Sequence, residues 1–439
     1  MKILLISPVI DLQSIDTKPL LIPALGLYIL KGMTPSEHEV EIVQEGYDTL
    51  DLDEKCDLVG ISCMTSTAPR AYEIAKGFKE RGKAVIMGGV HPTIMPEEVL
   101  QHADSIVIGE AEEVWNKIID DFQQGKLKKI YQGSGKKNNT FVPLDYKGIR
   151  RGFSKQLPIL TTRGCFYKCD FCSVKNIFVE GVSHIPISHV VRYIKESKTK
   201  FVTFLDDNII CDVEYAKDLF RAIKPLKIIW SSQAPISIAD DPELLQLAVE
   251  SGCKFLCIGV ESIDDSQRQT MIKQAEFNSI SDIEKAIKKI GKSGILVHPF
   301  IMFGFDTDTK EIFSKTIKFL VRNKVCSASF NILTPYPNIK LFNEMKEGNR
   351  LLTTDWKYYC HNITVFRPKN MTAYELQEGT VKAKKQFYSL GSIIARSTAY
   401  LGQPINFLLF LIINLAYKWQ IVKEKKWNTR LEMFEFLKR

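Results

Sequence analysis

Thr161-Thr162-Arg163-Gly164-Cys165-Phe166-Tyr167-Lys168-Cys169-Asp170-Phe171-Cys172 places three cysteines in C-x3-C-x2-C spacing. The run directly follows an apolar segment starting near Pro158 that reads as a strand. Three soft thiolates on so short a loop suit zinc or an iron–sulfur cluster. A closed zinc site wants a fourth ligand nearby, but no Cys or His follows before His184 and the sequence holds no second C-x2-C. Three ligands to a four-iron cluster would instead leave one iron open. The ten cysteines in 439 residues are too sparse for a small disulfide scaffold. At the N-terminus only Ile3–Ile6 is continuously apolar, and Pro8 and Asp11 follow it. That reads as a first strand, not an export signal, and a reducing cytoplasm is the expected compartment.

Outward from the cysteines, candidate strands begin near Pro158, Phe201, Lys227, Phe255, Ile295 and Ser327. Helices are expected over Glu214–Ile223, Pro242–Ser251, Ser279–Lys292 and Lys310–Lys324. This is the spacing of βα units. It predicts a partial (β/α)6 barrel of TIM type, with its chemistry in the loops at the C-terminal strand ends. Upstream, β-branched runs at Ile3–Ile6, Leu58–Ile61, Ala84–Met87 and Ser105–Ile108 alternate with helical faces. Ala71, Ile74, Ala75 and Phe78 mark one such face, and Trp115, Ile118, Ile119 and Phe122 another. The pattern predicts a Rossmann-like, doubly wound α/β domain. No G-x-G-x-x-G follows its first strand, which disfavours a plain dinucleotide site. The expected divisions are residues 1–130 for this domain, 131–150 for a linker, 151–345 for the barrel and 346–439 for a mostly helical extension.

With its aromatic Phe171 before the third cysteine, the Cys165–Cys172 motif resembles that of the radical S-adenosylmethionine (SAM) superfamily. The resemblance implies that Cys165, Cys169 and Cys172 are catalytic ligands of a 4Fe–4S cluster whose open iron binds SAM. One electron, from a donor such as flavodoxin or ferredoxin, then cleaves SAM to a 5′-deoxyadenosyl radical. Polar residues at the other strand ends match the family's usual SAM contacts: Phe171, Asp206, Asp207, Ser232, Gln233, Glu261, Ser262 and Gly304. The glycine is expected to admit a flat ligand such as adenine. Plainer readings stand beside these, with Asp206 or Asp207 capping the following helix and Glu261 pairing with Arg163.

Two upstream loops, Ser62-Cys63-Met64-Thr65-Ser66-Thr67 and Gly88-Gly89-Val90-His91-Pro92-Thr93, look like those of a cobalamin-binding domain. Gly109-Glu110-Ala111-Glu112-Glu113 is typical of the same subgroup. The chain as a whole is thus similar to cobalamin-dependent (class B) radical SAM enzymes. Ser62, Thr65, Ser66, Gly88, Gly89 and His91 are the implied cobalamin contacts, the small residues admitting the nucleotide tail. The Asp-x-His-x-x-Gly motif that supplies a lower axial histidine is absent, and His91 reads as a loop anchor. The resemblance implies methylation of an unactivated carbon of a small molecule or lipid, with cyclisation, rearrangement or carbon–carbon coupling as an alternative. A non-catalytic cobalamin or redox sensor is the alternative of another class. His298 reads as a barrel-core histidine or a group acting on substrate. The cysteines outside the motif read as buried hydrophobes, with Cys326 and Cys360 as candidate auxiliary thiols.

The composition, 45% hydrophobic and 25% charged, excludes wholesale disorder. The net charge of +8 is mild. Half of it lies in the last 22 residues, where Lys418, Lys423, Lys425, Lys426, Arg430, Lys438 and Arg439 face Glu424, Glu432 and Glu435. No RNA-binding domain accompanies that cluster, so nucleic acid is not an expected partner. Residues Trp356–Met371 resemble the C-terminal extension of cobalamin radical enzymes that include hopanoid methylases. The apolar run Phe407–Ile413, broken by Asn414, is about half the roughly 20 residues needed to span a bilayer. It reads either as a helix docked on the barrel or as a peripheral contact with the inner face of an anionic membrane.

Overall fold

The computed structural model describes residues 1–9, 23–133, 144, 149, 156–167, 169–178, 181–271, 279–431 and 437, with side chains omitted at 270–271 and 423–431. Of the expected linker, 131–150, only 131–133, 144 and 149 are described, and beyond 431 the tail is described only at 437.

Two parallel sheets carry the fold. The first contains β1 (Lys2–Ser7), β2 (Glu39–Gln44), β3 (Leu58–Ser62), β4 (Ala84–Gly88), β5 (Ser105–Ile108) and β6 (Ile130–Gln132), in the order β2-β1-β3-β4-β5-β6. Alternation along β1 splits its apolar residues between two cores. Leu4 and Ile6 pack with Ala71, Ile74 and Phe78, while Ile3 and Leu5 pack with Trp115, Ile118 and Ile119. A sheet buried on both faces by helices is the doubly wound architecture that the sequence predicts. β2 and β6 escaped that prediction because Glu39–Gln44 and Ile130–Gln132 lie at the sheet's edges. There polar residues are tolerated and the continuous apolar signal is lost.

The second sheet contains β7 (Leu157–Ile159), β10 (Phe201–Phe204), β11 (Ile229–Ala234), β12 (Cys253–Glu261), β13 (Leu296–Phe303) and β14 (Ser329–Ile332). These six strands pair in chain order, every ladder parallel. Sequential parallel pairing with intervening helices is an open half-barrel. Asp212, Asp241 and Ser279 begin the Val213–Ile223, Pro242–Glu250 and Ile280–Lys292 helices, each side chain accepting a backbone N–H of the first turn. Between β7 and β10, the two-residue strands β8 (Thr162–Arg163) and β9 (Ser183–His184) pair antiparallel.

The C-terminal region is three packed helices, Ala373–Phe387, Leu390–Ser397 and Pro404–Leu431. Asn414 does not break the last of them. Its side chain accepts from Arg396 Nη2 (2.8 Å) and donates to the Cys326 carbonyl (2.9 Å). Arg396 is itself buried, donating to the Val325, Cys326 and Phe387 carbonyls and stacking on the Phe387 ring. Tyr417 stacks on Tyr388 and on His298, which ties the helix to the half-barrel.

Candidate active site between two sheets

The cysteine loop is held from below by one carboxylate. Asp206, fully buried after β10, accepts the backbone N–H groups and the hydroxyls of both Thr161 and Thr162, at 2.5–3.2 Å. Burial raises its pKa, and these four donors oppose the rise. Neither Asp206 nor Asp207 caps the following helix, a place taken by Asp212. Asp206 is therefore an anchor for the loop. The β8–β9 ladder closes the loop's two ends together, and Tyr215 donates to the Ile185 carbonyl on one side of it (2.6 Å). Gly164, at φ +86°, is forced here: a Cβ would stand 2.3 Å from the Gly181 carbonyl oxygen.

On this frame Cys165, Cys169 and Cys172 are half-buried. The Cys211 thiol beside Cys165 pulls Cys165 down to about 6. Burial, with the other thiols and Glu261 adding to it, pushes Cys169 up to about 12 and raises Cys172. Among the described residues, no three His, Cys, Asp or Glu side chains converge as ligands of a single ion. Cys211 was expected merely to pack. It instead accepts from the Phe166 N–H (3.3 Å), and Asn208 Nδ2 lies 4.0 Å from Cys165 Sγ.

The other strand ends divide into residues that face the site and residues used by the protein itself. Gln233 and Asp207 are exposed, whereas Ser232 is buried and donates to the Phe204 carbonyl (3.1 Å). Phe171 meets Phe305 edge to face. Glu261 sits at φ +63° beside a bulge in β12, and its carboxylate folds over Gly259, where a Cβ would lie 2.7 Å away. Burial pushes Glu261 up to about 7, and the Arg268 charge opposes this. Ser262 is buried with its hydroxyl accepting from Asp264 N. On its Cβ side Gly304 (φ +106°) is filled by the C-terminal region. A Cβ there would strike Leu376 (2.8 Å) and Phe366 (2.9 Å), so this glycine admits the C-terminal region.

In the first sheet, the β3 and β4 loops pack directly on each other. A Cβ on Gly89 (φ +99°) would meet the Cys63 carbonyl at 2.9 Å and Ser62 Oγ at 3.0 Å. Gly89 therefore lets the two loops approach each other closely. Gly88 meets only an ordinary contact with Val107. His91 is buried as an anchor, with Nδ1 on Thr65 Oγ1 (3.3 Å) and Nε2 on the Tyr72 hydroxyl (3.0 Å). Thr65 and Ser66 are buried in the same loop. His298 is also committed, to Ser327 Oγ (2.7 Å) and Ser329 Oγ (2.9 Å), which favours the core reading. Cys326 is buried, and Cys360 lies half-buried.

Arg163, two residues before the first cysteine, reaches across to Glu110 and Glu112 beyond β5. It does not pair with Glu261. Asn338, beyond β14, donates to the Ile94 carbonyl (2.7 Å), and Trp356 Nε1 donates to Glu98 (2.9 Å). Every one of these links joins segments that follow strands at their C-terminal ends or the region beyond β14. Those ends of the two parallel sheets therefore face each other, which is where open α/β sheets and barrels bind ligands.

Comparison with known proteins agrees. Residues 159–320 match the radical SAM superfamily, and residues 16–119 match the B12-binding domain. The bacteriochlorophyllide d C-12(1)-methyltransferase of Chlorobaculum tepidum is 30% identical over 368 residues, 81% of this chain and 79% of that one. The chain belongs to the cobalamin-dependent radical SAM methyltransferase family. The C-8(2)-methyltransferase of the same organism is 29% identical over 94% of both chains. In fold, this family member is also similar to the cobalamin-dependent SAM radical enzyme OxsB, solved with aqua-cobalamin and SAM bound (TM-score 0.68, 16% identity, 98% of this chain and 75% of that one). The protein is accordingly an enzyme whose cofactors are SAM, a 4Fe–4S cluster and cobalamin. The donor type fits the cluster: Cys165, Cys169 and Cys172 put three soft thiols on one loop that Asp206 pins through Thr161 and Thr162.

Proposed function

We propose that the enzyme methylates an unactivated carbon of an apolar, ring-bearing small molecule, a tetrapyrrole being the leading candidate. Support for that class comes from its two relatives, which by name act on bacteriochlorophyllide d. In this reading residues 1–130 bind cobalamin, 151–345 form the radical SAM barrel and 346–439 close it. Cys165, Cys169 and Cys172 hold the cluster. Phe171, Asp207, Gln233 and Glu261 face SAM, while Asp206, Ser232, Ser262 and Gly304 shape the frame behind them. Ser62, Thr65, Ser66 and Gly88 flank the corrin, with His91 and Gly89 fixing their loop. When bound, these groups supply a carbon-centred radical and a transferable methyl group.

The carrying observation is the apposition of the two sheets' C-terminal ends through Arg163, Glu110 and Glu112. Holding methyl donor and radical source in one space turns an encounter into a positioned reaction, worth many orders of magnitude in effective concentration. A flavodoxin- or ferredoxin-type protein serves as electron donor, and the cytoplasm as compartment. The test is an assay of the anaerobically reconstituted enzyme with a tetrapyrrole acceptor. S-adenosylhomocysteine should form alongside 5′-deoxyadenosine. 5′-deoxyadenosine alone during full turnover would mean cyclisation or coupling, and sinks the methylation reading. Cys169→Ala should abolish SAM cleavage yet keep corrinoid absorption. A wild-type enzyme that never cleaves SAM under strong reductant would point to a sensor.

A further inference from the structure

Over its described side chains, residues 404–422, the last helix is packed on one side. Phe410, Asn414 and Ile421 are buried, and Asn406 donates to the Gly294 carbonyl (3.0 Å). Opposite them Ile405, Leu408, Ile412, Leu415, Trp419 and Val422 recur at intervals of three and four residues, each 53–68% exposed. The preceding helix and turn add exposed Leu390, Ile394 and Leu401. Large exposed apolar surfaces of this kind mark binding faces.

We propose that this face docks on an anionic lipid bilayer, with the helix lying in the plane of the interface. Its segment Pro404–Val422 is long and apolar enough to cross a membrane, contrary to the short run that the sequence reading ends at Asn414. Crossing, however, would expose Asn414 and Arg396 to hydrocarbon and strip the bonds that join them to the barrel. An in-plane helix keeps those bonds and sinks only the opposite face. Charge favours lipid as the occupant. No charged residue occurs from Pro404 to Tyr417, and then Lys418, Lys423, Lys425, Lys426 and Arg430 follow against Glu424 alone up to Leu431. In sequence, a basic run that directly follows an apolar stretch matches anionic headgroups beside a hydrocarbon boundary.

A second copy is the competing occupant, because three-four spacing also builds helical seams. Such a seam is narrow and flanked by charged residues. Here the neighbouring positions are Leu409, Leu411 and Ala416, none of them charged, and the preceding helix exposes Leu390 and Ile394 as well. This exposed face is the same whatever the methyl acceptor is.

The test is flotation of the full-length protein with phosphatidylcholine vesicles, with and without phosphatidylglycerol. The protein should float with the mixed vesicles, release with rising salt, and bind the neutral ones more weakly. Ile412→Ser with Leu415→Ser, on exposed positions, should lower the bound fraction about tenfold or more while leaving the thermal midpoint unchanged. Lys418→Glu should weaken binding to the mixed vesicles only. Absence of flotation overturns the proposal. So does a dimer in sedimentation that the double substitution dissociates, in a protein that ignores both vesicle types.

Discussion

Asp206 is a buried carboxylate facing four donors, all from two consecutive threonines. Replacing it with Ala leaves two backbone N–H groups unsatisfied beneath the cysteine loop, at about 1–3 kcal/mol each. Asp206→Ala should therefore lower the iron and sulfide retained after anaerobic reconstitution. Corrinoid loading, which depends on the other sheet, should not change. His298 gives a prediction in pH. Burial drives it down to about 3 from an ordinary 6.5, so between those values the unfolded chain binds the extra proton. Stability rises with pH across that window and is fully present above about 6.5. His298→Asn should flatten the acid limb of the denaturation curve below pH 6. An unchanged limb in urea titrations at pH 4 and 7 would contradict this.

At the scale of elements, the loop between β8 and β9 depends on a backbone turn that only glycine makes without strain. Gly164→Ala combines a left-handed φ with a Cβ set against the Gly181 carbonyl, and should cost about 1–3 kcal/mol. The thermal midpoint read by circular dichroism checks this. The element order was largely legible beforehand, because the six half-barrel strands begin within two residues of where the apolar runs place them. The residues that serve the frame were not. Asp206, Ser232, Gly89 and Gly304 have the residue types of ligand contacts. Only the three-dimensional partners, two threonines, a Phe204 carbonyl, a Cys63 carbonyl and a Leu376 side chain, separate anchoring from binding. Likewise the spacing of Cys211 from the motif, 39 residues beyond Cys172, carries no short-range signal. The turn after β10 brings it to the Phe166 N–H, next to Cys165.

At the scale of the whole molecule, the two sheets meet through charges that no local pattern reveals. Glu110 and Glu112 are separated from Arg163 by about 50 residues of chain. Replacing both glutamates with Gln should leave each half competent, so SAM is still cleaved and corrinoid still bound. The methyl product formed per 5′-deoxyadenosine should fall by up to about 100-fold, as expected when two reacting centres lose registration. Retained coupling in the double variant would assign alignment to Asn338 and Trp356 instead.

That same arginine stands two positions ahead of Cys165. The residue that clasps the first sheet is thus also part of the cysteine loop's own backbone. Exchanging the N-terminal half for that of a relative would disturb the loop of the retained half unless positions 110, 112 and 163 travel together. Those three side chains therefore act as one joint, with a half on each sheet.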